Sequence, residues 1–479
     1  MKKAFLLYPP TGLYDRSDRC QSYLESETGA LVSPPMDILY MAAVLEKAGY
    51  RCFVRDYTIE KKGWADVRLD LERELPSVLV VSTTMSTLKE DLKACDMAKG
   101  IKPDCLTVAK GGYVGDDSEA LLRVNGNLDI FINNEPEFVI REIVSLSRLQ
   151  DIRGISYRAY GRTFTNQPRP FGDDLDSLPL PARHLIRNEL YRMPDTRRRF
   201  TTILTGRGCP FKCIYCMAGK VGGAHLRLRS PENIVRELEE CMTRFGIKDF
   251  WMRADTFTFD KKWVAEICRL ITDKGLHIKW MTNSRVDRID DEMLYAMKRS
   301  GCTVIGFGIE SGNQGLLDRM KKGITLEQSR RAVEMCRKHR IKTYLNFIVG
   351  LPWESEETFE ETIRFAKSLK ADMYNFSISY PFPGTELYEY VKEKGLLKSD
   401  EDLKTYGFFE PVADTHYMKR ERLGRLKEAA FRKVMLDPRF VLRTISNMRS
   451  PALIAAYCRE AARLLGVIYG KTRKGKGPR

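Results

Sequence analysis

Short apolar runs alternate with longer amphipathic stretches through the first 150 residues of the chain. Runs such as Lys3–Tyr8 and 78–82 are almost wholly apolar, as strands covered on both faces of a parallel sheet are. Helical spacing of apolar residues separates these runs. The pattern predicts a doubly wound, Rossmann-like α/β domain over residues 1–150. Its predicted strands are Lys3–Tyr8, 52–55, 78–82, 107–109 and Ile130–Ile132, and its predicted helices span 38–48 or begin at Leu88 and Ser118.

A second alternation of strands and amphipathic helices fills residues 199–397. It repeats six times, which predicts a second parallel α/β domain. Between the two domains, residues 151–198 hold two short β-rich runs around Tyr160-Gly161 and a proline-rich strap at 178–181, and we predict a hairpin and linker there. Residues 398–479 are predicted to be a helical, basic region. The six predicted strands of the second domain are 201–205, 250–254, 278–282, 304–309, 343–349 and 373–379.

Net charge is concentrated at the end of the chain. The whole chain carries +16, and residues 419–479 contain 17 Lys and Arg against 4 Asp and Glu. A basic amphipathic helix is typical of a membrane-surface element, and a helix packed on the domain with a solvated basic face is the alternative. Nucleic acid is disfavoured because no RNA-binding module accompanies the tail. No apolar run of membrane-spanning length and no signal peptide is found, which predicts a cytoplasmic enzyme. The basic tail adds the hypothesis of peripheral contact with the inner face of the membrane.

Three cysteines after the first strand of the second domain carry the clearest chemical signal. Cys209, Cys213 and Cys216 follow a CxxxCxxC spacing. A four-iron cluster normally takes four thiolates, so three leave one iron open to another ligand. The alternative is a zinc knuckle, but zinc usually takes four Cys or His ligands with paired spacing, and no second pair follows here. The spacing favours a reactive 4Fe-4S cluster.

This spacing resembles that of the radical SAM superfamily. The resemblance implies a partial (βα)6 barrel of the TIM type and S-adenosylmethionine (SAM) bound to the open iron, where its cleavage yields a 5′-deoxyadenosyl radical. It extends to motifs after the later strands, including 308–312, which is Gly-Ile-Glu-Ser-Gly, and 347–354. The SAM contacts that it implies are Tyr215, Asp255, Thr256, Arg285, Glu310, Ser311 and Gly350; a structural ion pair between Arg285 and Asp287 is the alternative for that arginine.

Four loops of the first domain resemble those of the cobalamin-binding domain that precedes many radical SAM cores. They follow predicted strands and should line one crevice at the carboxyl edge of the sheet. All five histidines lie beyond residue 150, so this domain cannot give cobalt a histidine ligand. The cobalamin contacts that the resemblance implies are Pro9, Pro10, Ser82, Thr83, Thr84, Ser86, Gly111, Gly112 and Glu135.

Together these motifs predict a cobalamin-dependent radical SAM enzyme that abstracts hydrogen from an unactivated carbon. Methyl transfer from methylcobalamin to a small hydrophobic molecule, such as a lipid, isoprenoid or porphyrin, is the favoured outcome, and oxidative cyclisation is the alternative. A non-catalytic cobalamin or redox sensor and a tRNA methylthiotransferase are less consistent with these residues. The predicted partners are the substrate and a one-electron reductant of the flavodoxin or ferredoxin type.

Overall fold

The first sheet has seven strands in the order β2-β1-β3-β4-β5-β6-β7, of which β1 to β5 are parallel. The structure is a computed structural model that describes residues 1–16, 31–111, 118–145, 148–172, 174–399, 403 and 410–447. Strand β3 is buried along its whole length, as its apolar sequence predicts. The strands are β1 (Lys3–Tyr8), β2 (Arg51–Asp56), β3 (Val78–Thr83), β4 (Leu106–Gly111), β5 (Ile130–Ile132), β6 (Ile155–Ala159) and β7 (Arg162–Thr165).

Helices cover both faces of this sheet, which confirms the doubly wound prediction. One hydrophobic core joins α1 and α6 to the sheet, and a second, on the other face, joins α2, α4 and α5 to it. Strand residues divide between the two cores in alternation: Ala4 and Leu6 belong to one, Phe5 and Leu7 to the other. The helices are α1 (Met36–Lys47), α2 (Trp64–Glu74), α3 (Leu88–Asp91), α4 (Lys93–Ile101), α5 (Ser118–Val124) and α6 (Pro136–Val144).

The predicted hairpin is present, but it belongs to the first sheet. β6 pairs antiparallel with β5, and β7 pairs antiparallel with β6. The hairpin therefore extends the sheet by two strands beyond the residues assigned to it from the sequence. The four-part division of the chain at residues 150, 198 and 397 stays a prediction.

The second sheet has six parallel strands in the order β15-β14-β13-β12-β11-β8. All six predicted strands are found within two residues of their expected ends, as a partial (βα)6 barrel requires. The strands are β8 (Phe200–Leu204), β11 (Asp249–Arg253), β12 (Lys279–Ser284), β13 (Cys302–Glu310), β14 (Lys342–Val349) and β15 (Met373–Ile378), and a short antiparallel pair, β9 (Gly206–Arg207) and β10 (Arg227–Leu228), lies beside β8 in sequence.

Amphipathic helices follow the strands of the second sheet and bury their apolar faces in one large core. Several begin with a side chain that accepts a hydrogen bond from the first turn, such as Asp260 before α9 and Thr325 before α12, which is the usual way to satisfy exposed N–H groups. The helices are α7 (Ala218–Gly222), α8 (Pro231–Phe245), α9 (Lys261–Asp273), α10 (Asp291–Arg299), α11 (Gln314–Arg319), α12 (Leu326–Lys338), α13 (Glu356–Leu369) and α14 (Glu386–Glu393).

The described part of the basic region packs on the barrel. Helix α15 (Arg420–Met435) buries Leu423, Leu426 and two further residues in the main core, beside the last strand, β15. Helix α16 (Pro438–Asn447) follows it and packs the Phe440 ring edge-on against Tyr374 of β15. Residues 448–479, which hold the rest of the predicted membrane element, lie outside the described residues. In the part of the chain that the structure describes, no helix is long and apolar enough to cross a membrane.

Candidate active site

The three cysteines lie on the loop between β9 and α7, at the carboxyl end of the first barrel strand. All three are partly buried. The Cys209 amide donates to the Gly223 carbonyl at 3.0 Å, and the Ala218 amide donates to Cys216 Sγ at 3.4 Å. An amide that points at sulfur stabilises the charged thiolate. The loop thus offers thiolate ligands in a place reached from the barrel mouth.

Gly208 gives this loop its shape. Its φ is +88°, in the left-handed region that favours glycine. A Cβ at this position would lie 2.1 Å from the His225 carbonyl oxygen and 2.8 Å from that of Gly222. Both atoms belong to the backbone and cannot swing aside. The glycine before the first cysteine is therefore a steric requirement of the loop.

Two later segments of the chain hold the cluster loop by its backbone. The Ile214 amide donates to the Met320 carbonyl at 3.1 Å, and the Ile214 carbonyl accepts from the Leu387 amide at 3.0 Å. Ile214 is itself buried with Leu387 in a small apolar cluster. The cysteine loop is thus fixed between the segment that follows β13 and the first turn of α14.

The charge around Cys213 is set by burial and by two cations. Burial raises the pKa of the Cys213 thiol, while Lys322 and Arg285 act to lower it. Arg285 Nη1 lies 4.0 Å from Cys213 Sγ. A cysteine binds a metal as the thiolate, so Cys213 should release a proton when the cluster binds. Lys322 and Arg285 favour the thiolate that is then present.

Glu310 and Tyr215, two of the predicted SAM contacts, meet beside the cluster loop. The Tyr215 hydroxyl donates to Glu310 Oε1 at 3.0 Å, and Lys322 Nζ donates to the same oxygen at 2.7 Å. Burial and the Glu310 charge hold the pKa of Tyr215 well above its ordinary value, so the phenol stays protonated. Among the described residues the hydrogen bonds to this buried carboxylate go to Oε1, so Oε2 could accept from a ligand's amino or hydroxyl group.

The backbone at Glu310 is strained. Its φ is +69°, a conformation that costs a non-glycine residue of order 1 kcal/mol. A Cβ on Gly308 would lie 2.2 Å from Glu310 Oε1. The glycine and the left-handed turn together place the carboxylate over the end of β13, next to the cluster loop.

Arg285 makes the ion pair with Asp287 that is the alternative to its predicted SAM contact, and the SAM contact stays a prediction. Its Nε and Nη2 donate to the Asp287 carboxylate, at 2.9 and 3.3 Å, and Nη2 also donates to the Lys322 carbonyl at 2.8 Å. Its guanidinium lies 3.7 Å from the centre of the Phe211 ring. The structural ion pair with Asp287 is therefore present, and only Nη1 remains toward Cys213.

The other predicted SAM residues lie at the carboxyl ends of the barrel strands in different roles. Asp255 lines a cleft between the carboxyl edges of the two sheets, and Thr256 is buried beside it. Ser311 is fully buried, with its hydroxyl 3.2 Å from that of Thr362. Gly350 has a φ of +90° and donates its amide to the Glu354 carboxylate.

No three His, Cys, Asp or Glu side chains converge on a position for a single metal ion within the described ranges. That finding does not address a cluster, in which each cysteine binds a different iron. The donor set of the cysteine loop fits the cluster on other grounds: three partly buried sulfurs, an amide that donates to one of them and two cations beside another.

The hydroxyls predicted to meet cobalamin are used mainly within the fold. Ser82 donates to Asp37 at 2.8 Å, and Thr83 donates to the Gly111 carbonyl at 2.8 Å. The Thr84 hydroxyl contacts that of Thr87 at 2.7 Å. Ser86 lies half-buried in the same turn, Pro9 accepts a bond from Thr58 through its carbonyl, Pro10 is half-buried, and Gly112 lies outside the described residues.

A cleft opens between the carboxyl edges of the two sheets. From the first sheet it is lined by Tyr8, Asp37, Lys110 and residues 135–137, and from the barrel by residues 206–207, 221–222 and 253–255. Ligands of parallel sheets bind at this edge, and here two such edges face each other.

Asp37 and Lys110 form the polar floor of the cleft on its first-sheet side. Lys110 Nζ lies 2.6 Å from Asp37 Oδ2, and the Tyr8 hydroxyl donates to Oδ1 at 2.6 Å. Burial acts to raise the pKa of Asp37, but Lys110, Tyr8 and Ser82 outweigh it and the pKa lies below its ordinary value. The cleft floor therefore holds a charged Asp37–Lys110 pair whose carboxylate is hydrogen-bonded by other residues of the first domain.

Glu135 and Glu137 join the first domain to the cluster loop. Glu135 Oε1 lies 2.8 Å from Arg227 Nη2 and 3.2 Å from Arg207 Nη1, and Glu137 Oε1 lies 2.7 Å from Arg207 Nη2. Burial acts to raise the pKa of Glu135, but Arg227, Arg207 and the Gly172 amide lower it overall. Because Arg207 is two residues before Cys209, this network fixes the cysteine loop against the first sheet.

Four residues of this site were not singled out from the sequence. Lys110 and Asp37 were missed, although a lysine at the end of an apolar strand is a signal that could have been read. Arg207 and Lys322 were missed because their partners lie far along the chain.

Comparison with known proteins agrees with this geometry. A family model described as the radical SAM superfamily matches residues 203–366. The chain is 30% identical, over 92% of its length and 94% of the relative's, to an uncharacterized methyltransferase, PH0819, of Pyrococcus horikoshii. It is 26% identical, over 85% of its length and 75% of the relative's, to the anaerobic magnesium-protoporphyrin IX monomethyl ester cyclase of Rubrivivax gelatinosus.

Among solved structures, the fold is similar to that of the radical SAM methyltransferase TsrM of Kitasatospora setae with cobalamin and a [4Fe-4S] cluster bound. The TM-score is 0.67 at 18% identity, over 91% of this chain and 82% of that one. That likeness confirms the predicted fold class, and the 30% identical relative spans nearly the whole chain. The chain belongs to the radical SAM superfamily.

Proposed function

We propose that the chain is a cobalamin-dependent radical SAM enzyme that methylates an unactivated carbon of a small hydrophobic molecule. The observation that carries the proposal is the cleft, which brings the Asp255 side of the barrel mouth opposite Tyr8 and Lys110 of the first sheet. Two cofactor sites that face one another can serve a single substrate between them. The similarity to a named methyltransferase over nearly the whole chain supports the same function.

The residues of the chain bind the cofactors and orient them toward the substrate. When bound, the cluster with SAM supplies a 5′-deoxyadenosyl radical, and methylcobalamin supplies a methyl group. Cys209, Cys213 and Cys216 would hold the cluster. Glu310, whose Oε1 accepts from Tyr215 and Lys322, would accept a hydrogen bond from SAM through Oε2. The cleft is lined by the Asp37–Lys110 pair and by apolar side chains such as Met36 and Leu204, a mixture that is typical of cofactor sites.

Cluster and corrinoid content test this proposal directly. Protein purified without oxygen from cells supplied with cobalamin should hold about four irons and one corrinoid per chain. Cys213→Ala should lose most of the iron and keep the corrinoid. Cys336→Ala, which alters a buried cysteine of the barrel core, is the matched control and should keep both. Iron without corrinoid in the wild-type protein would sink the cobalamin part of the proposal.

Oxidative cyclisation is the second candidate because the chain is similar to a named cyclase over most of its length. The two functions differ in their by-products. Methyl transfer from SAM releases S-adenosylhomocysteine, whereas radical formation releases 5′-deoxyadenosine. A methylase should form both in the presence of a substrate, and a cyclase should form 5′-deoxyadenosine alone.

We also propose that the protein contacts a membrane surface through the basic residues at the end of the chain. Residues 448–479 contain eight Lys and Arg against one Glu, and each basic residue near an anionic surface contributes about 1 kcal/mol. The full chain should sediment with vesicles that contain anionic lipid, and a chain that ends at residue 447 should not. Equal sedimentation of the two proteins would exclude the tail as the anchor.

A further inference from the structure

The side chains of Arg285 and Phe211 connect Cys213 with the exposed residue Arg288. Phe211 lies between Cys209 and Cys213 in the sequence. The guanidinium of Arg285, whose Nη1 is 4.0 Å from Cys213 Sγ, lies 3.7 Å from the ring centre. The guanidinium of Arg288 lies 5.4 Å from the same centre, and its side chain is 43% exposed. A short, packed path therefore joins the molecular surface to the cluster loop.

The surface at the outer end of this path is aromatic and basic. Phe259 is 36% exposed, and its ring packs edge-on against Phe211 with 6.0 Å between centres. Arg288 also lies over Phe259, at 5.3 Å, and Lys212 is exposed next to Phe211 in the chain. Aromatic residues and arginine are enriched in protein interfaces, and Phe and Arg placed together on a surface favour an acidic partner that offers a carboxylate.

We propose that Phe211, Lys212, Phe259 and Arg288, named here the entry face, form the docking site of an acidic one-electron donor of the flavodoxin or ferredoxin type. The inference rests on the proposed cluster site and adds the place where the electron enters. In the step itself, the donor loses one electron and the cluster gains one. Electron-transfer complexes are small and transient, so a face of four residues with exposed cations is sufficient to orient the donor.

Electrostatics decides the expected behaviour of this face. Exposed cations steer an acidic partner into contact, and this effect weakens as salt screens the charges. Asp287 lies behind Arg288, with 3.7 Å between Arg288 Nε and its carboxylate, and it is also held by Arg285. The outward charge of the entry face is therefore that of Arg288 and Lys212.

The test compares charge reversals at and away from the entry face. Arg288→Glu and Lys212→Glu alter the face, and Arg299→Glu is the matched control. Arg299 is exposed and stacks at 5.8 Å on Tyr295, which is 55% exposed, at the end of α10. That end of the helix leads into the start of β13, away from the carboxyl ends of the strands. The control thus reverses an equivalent arginine–aromatic pair at the far side of the barrel.

Three measurements are made on reconstituted protein. The first is the affinity for oxidised flavodoxin by calorimetry, which needs no turnover. The second is the rate of cluster reduction by flavodoxin hydroquinone, followed by stopped-flow absorbance at several salt concentrations. The third is the extent of cluster reduction by excess dithionite, measured by electron paramagnetic resonance.

Each entry-face variant should lower the flavodoxin rate by about tenfold, weaken the affinity and flatten the salt dependence, while dithionite reduces its cluster as fully as in the wild type. Arg299→Glu should match the wild type throughout. Unchanged flavodoxin rates in both entry-face variants would overturn the docking site. Incomplete reduction by dithionite as well would show that the variants harm the cluster, which also overturns it. A wild-type protein without a cluster would instead refute the proposed function.

Discussion

Glu354 is a buried carboxyl that should make the stability of the protein depend on pH. Its side chain is fully buried, and Oε2 accepts the Gly350 amide. Oε1 has no hydrogen-bond partner among the described residues. Burial raises the pKa of Glu354 to about 8, although the Gly350 bond acts to lower it. At pH 7 the carboxyl is therefore mostly protonated in the folded protein, whereas in the unfolded chain a glutamate titrates at about 4.3.

The size of the effect follows from proton linkage. Between about pH 4.3 and pH 8 the folded protein holds one more proton than the unfolded chain, so the free energy of unfolding falls as the pH rises. The slope is about 1.4 kcal/mol per pH unit. From pH 5 to pH 8 this one group should therefore remove about 3 to 4 kcal/mol of stability. Glu354→Gln cannot titrate and should lack this slope.

Urea unfolding of the reduced apoprotein at pH 5, 6, 7 and 8 measures the difference between the wild type and Glu354→Gln. The wild type should lose about 3 to 4 kcal/mol relative to the variant across this range. Glu357 is an exposed residue nearby in α13. The free energy of unfolding of Glu357→Gln should change with pH as that of the wild type does. A constant difference between the wild type and Glu354→Gln at all four pH values would refute the reasoning, because Glu354 would then have the same charge in both states.

Two further substitutions test the core and the SAM site. Glu237→Ala leaves two buried arginines without their carboxylate and should lower the free energy of unfolding in urea by about 3 to 5 kcal/mol. Glu239→Ala removes a solvent-exposed ion pair and should lower it by at most about 1 kcal/mol. Equal losses would contradict the role of burial. Gly308→Ala places a methyl group against the Glu310 carboxylate and should weaken SAM binding at least about tenfold with no loss of iron, and unchanged affinity in equilibrium dialysis would exclude Glu310 from the SAM site.

The parallel strands were predictable because burial on both faces leaves a continuous apolar run. β3 and β14 begin and end within a residue of the predicted 78–82 and 343–349. Helix α2 was missed because its sequence is mostly polar and buries only three residues, so its apolar stripe is too narrow to give a helical signal. The hairpin was predicted, but the sequence of residues 155–165 does not indicate that it pairs with β5 of the first sheet.

The cysteine loop was predictable because its ligands are close in sequence. Glu310 and Glu135 were also predicted, whereas their cationic partners were not. Glu310 and Lys322 are 12 residues apart, and Glu135 and Arg207 are 72 apart. A charged residue is expected to be exposed, and only the fold shows that Lys322 packs against Glu310 and Arg207 against Glu135, all four buried or nearly so. The cobalamin contacts predicted at Ser82 and Thr83 stay predictions; their hydroxyls donate to Asp37 and to the Gly111 carbonyl within the first domain.

The backbone bonds that hold Ile214 have a consequence for biosynthesis. The ribosome adds about 5 to 20 residues per second, so Leu387 is made roughly 10 to 35 seconds after the cysteines of the loop. Until then the loop lacks its second anchor, and the thiols stand in an unfinished barrel. Delivery of iron and sulfide to a finished loop must therefore wait until nearly the whole barrel has been translated.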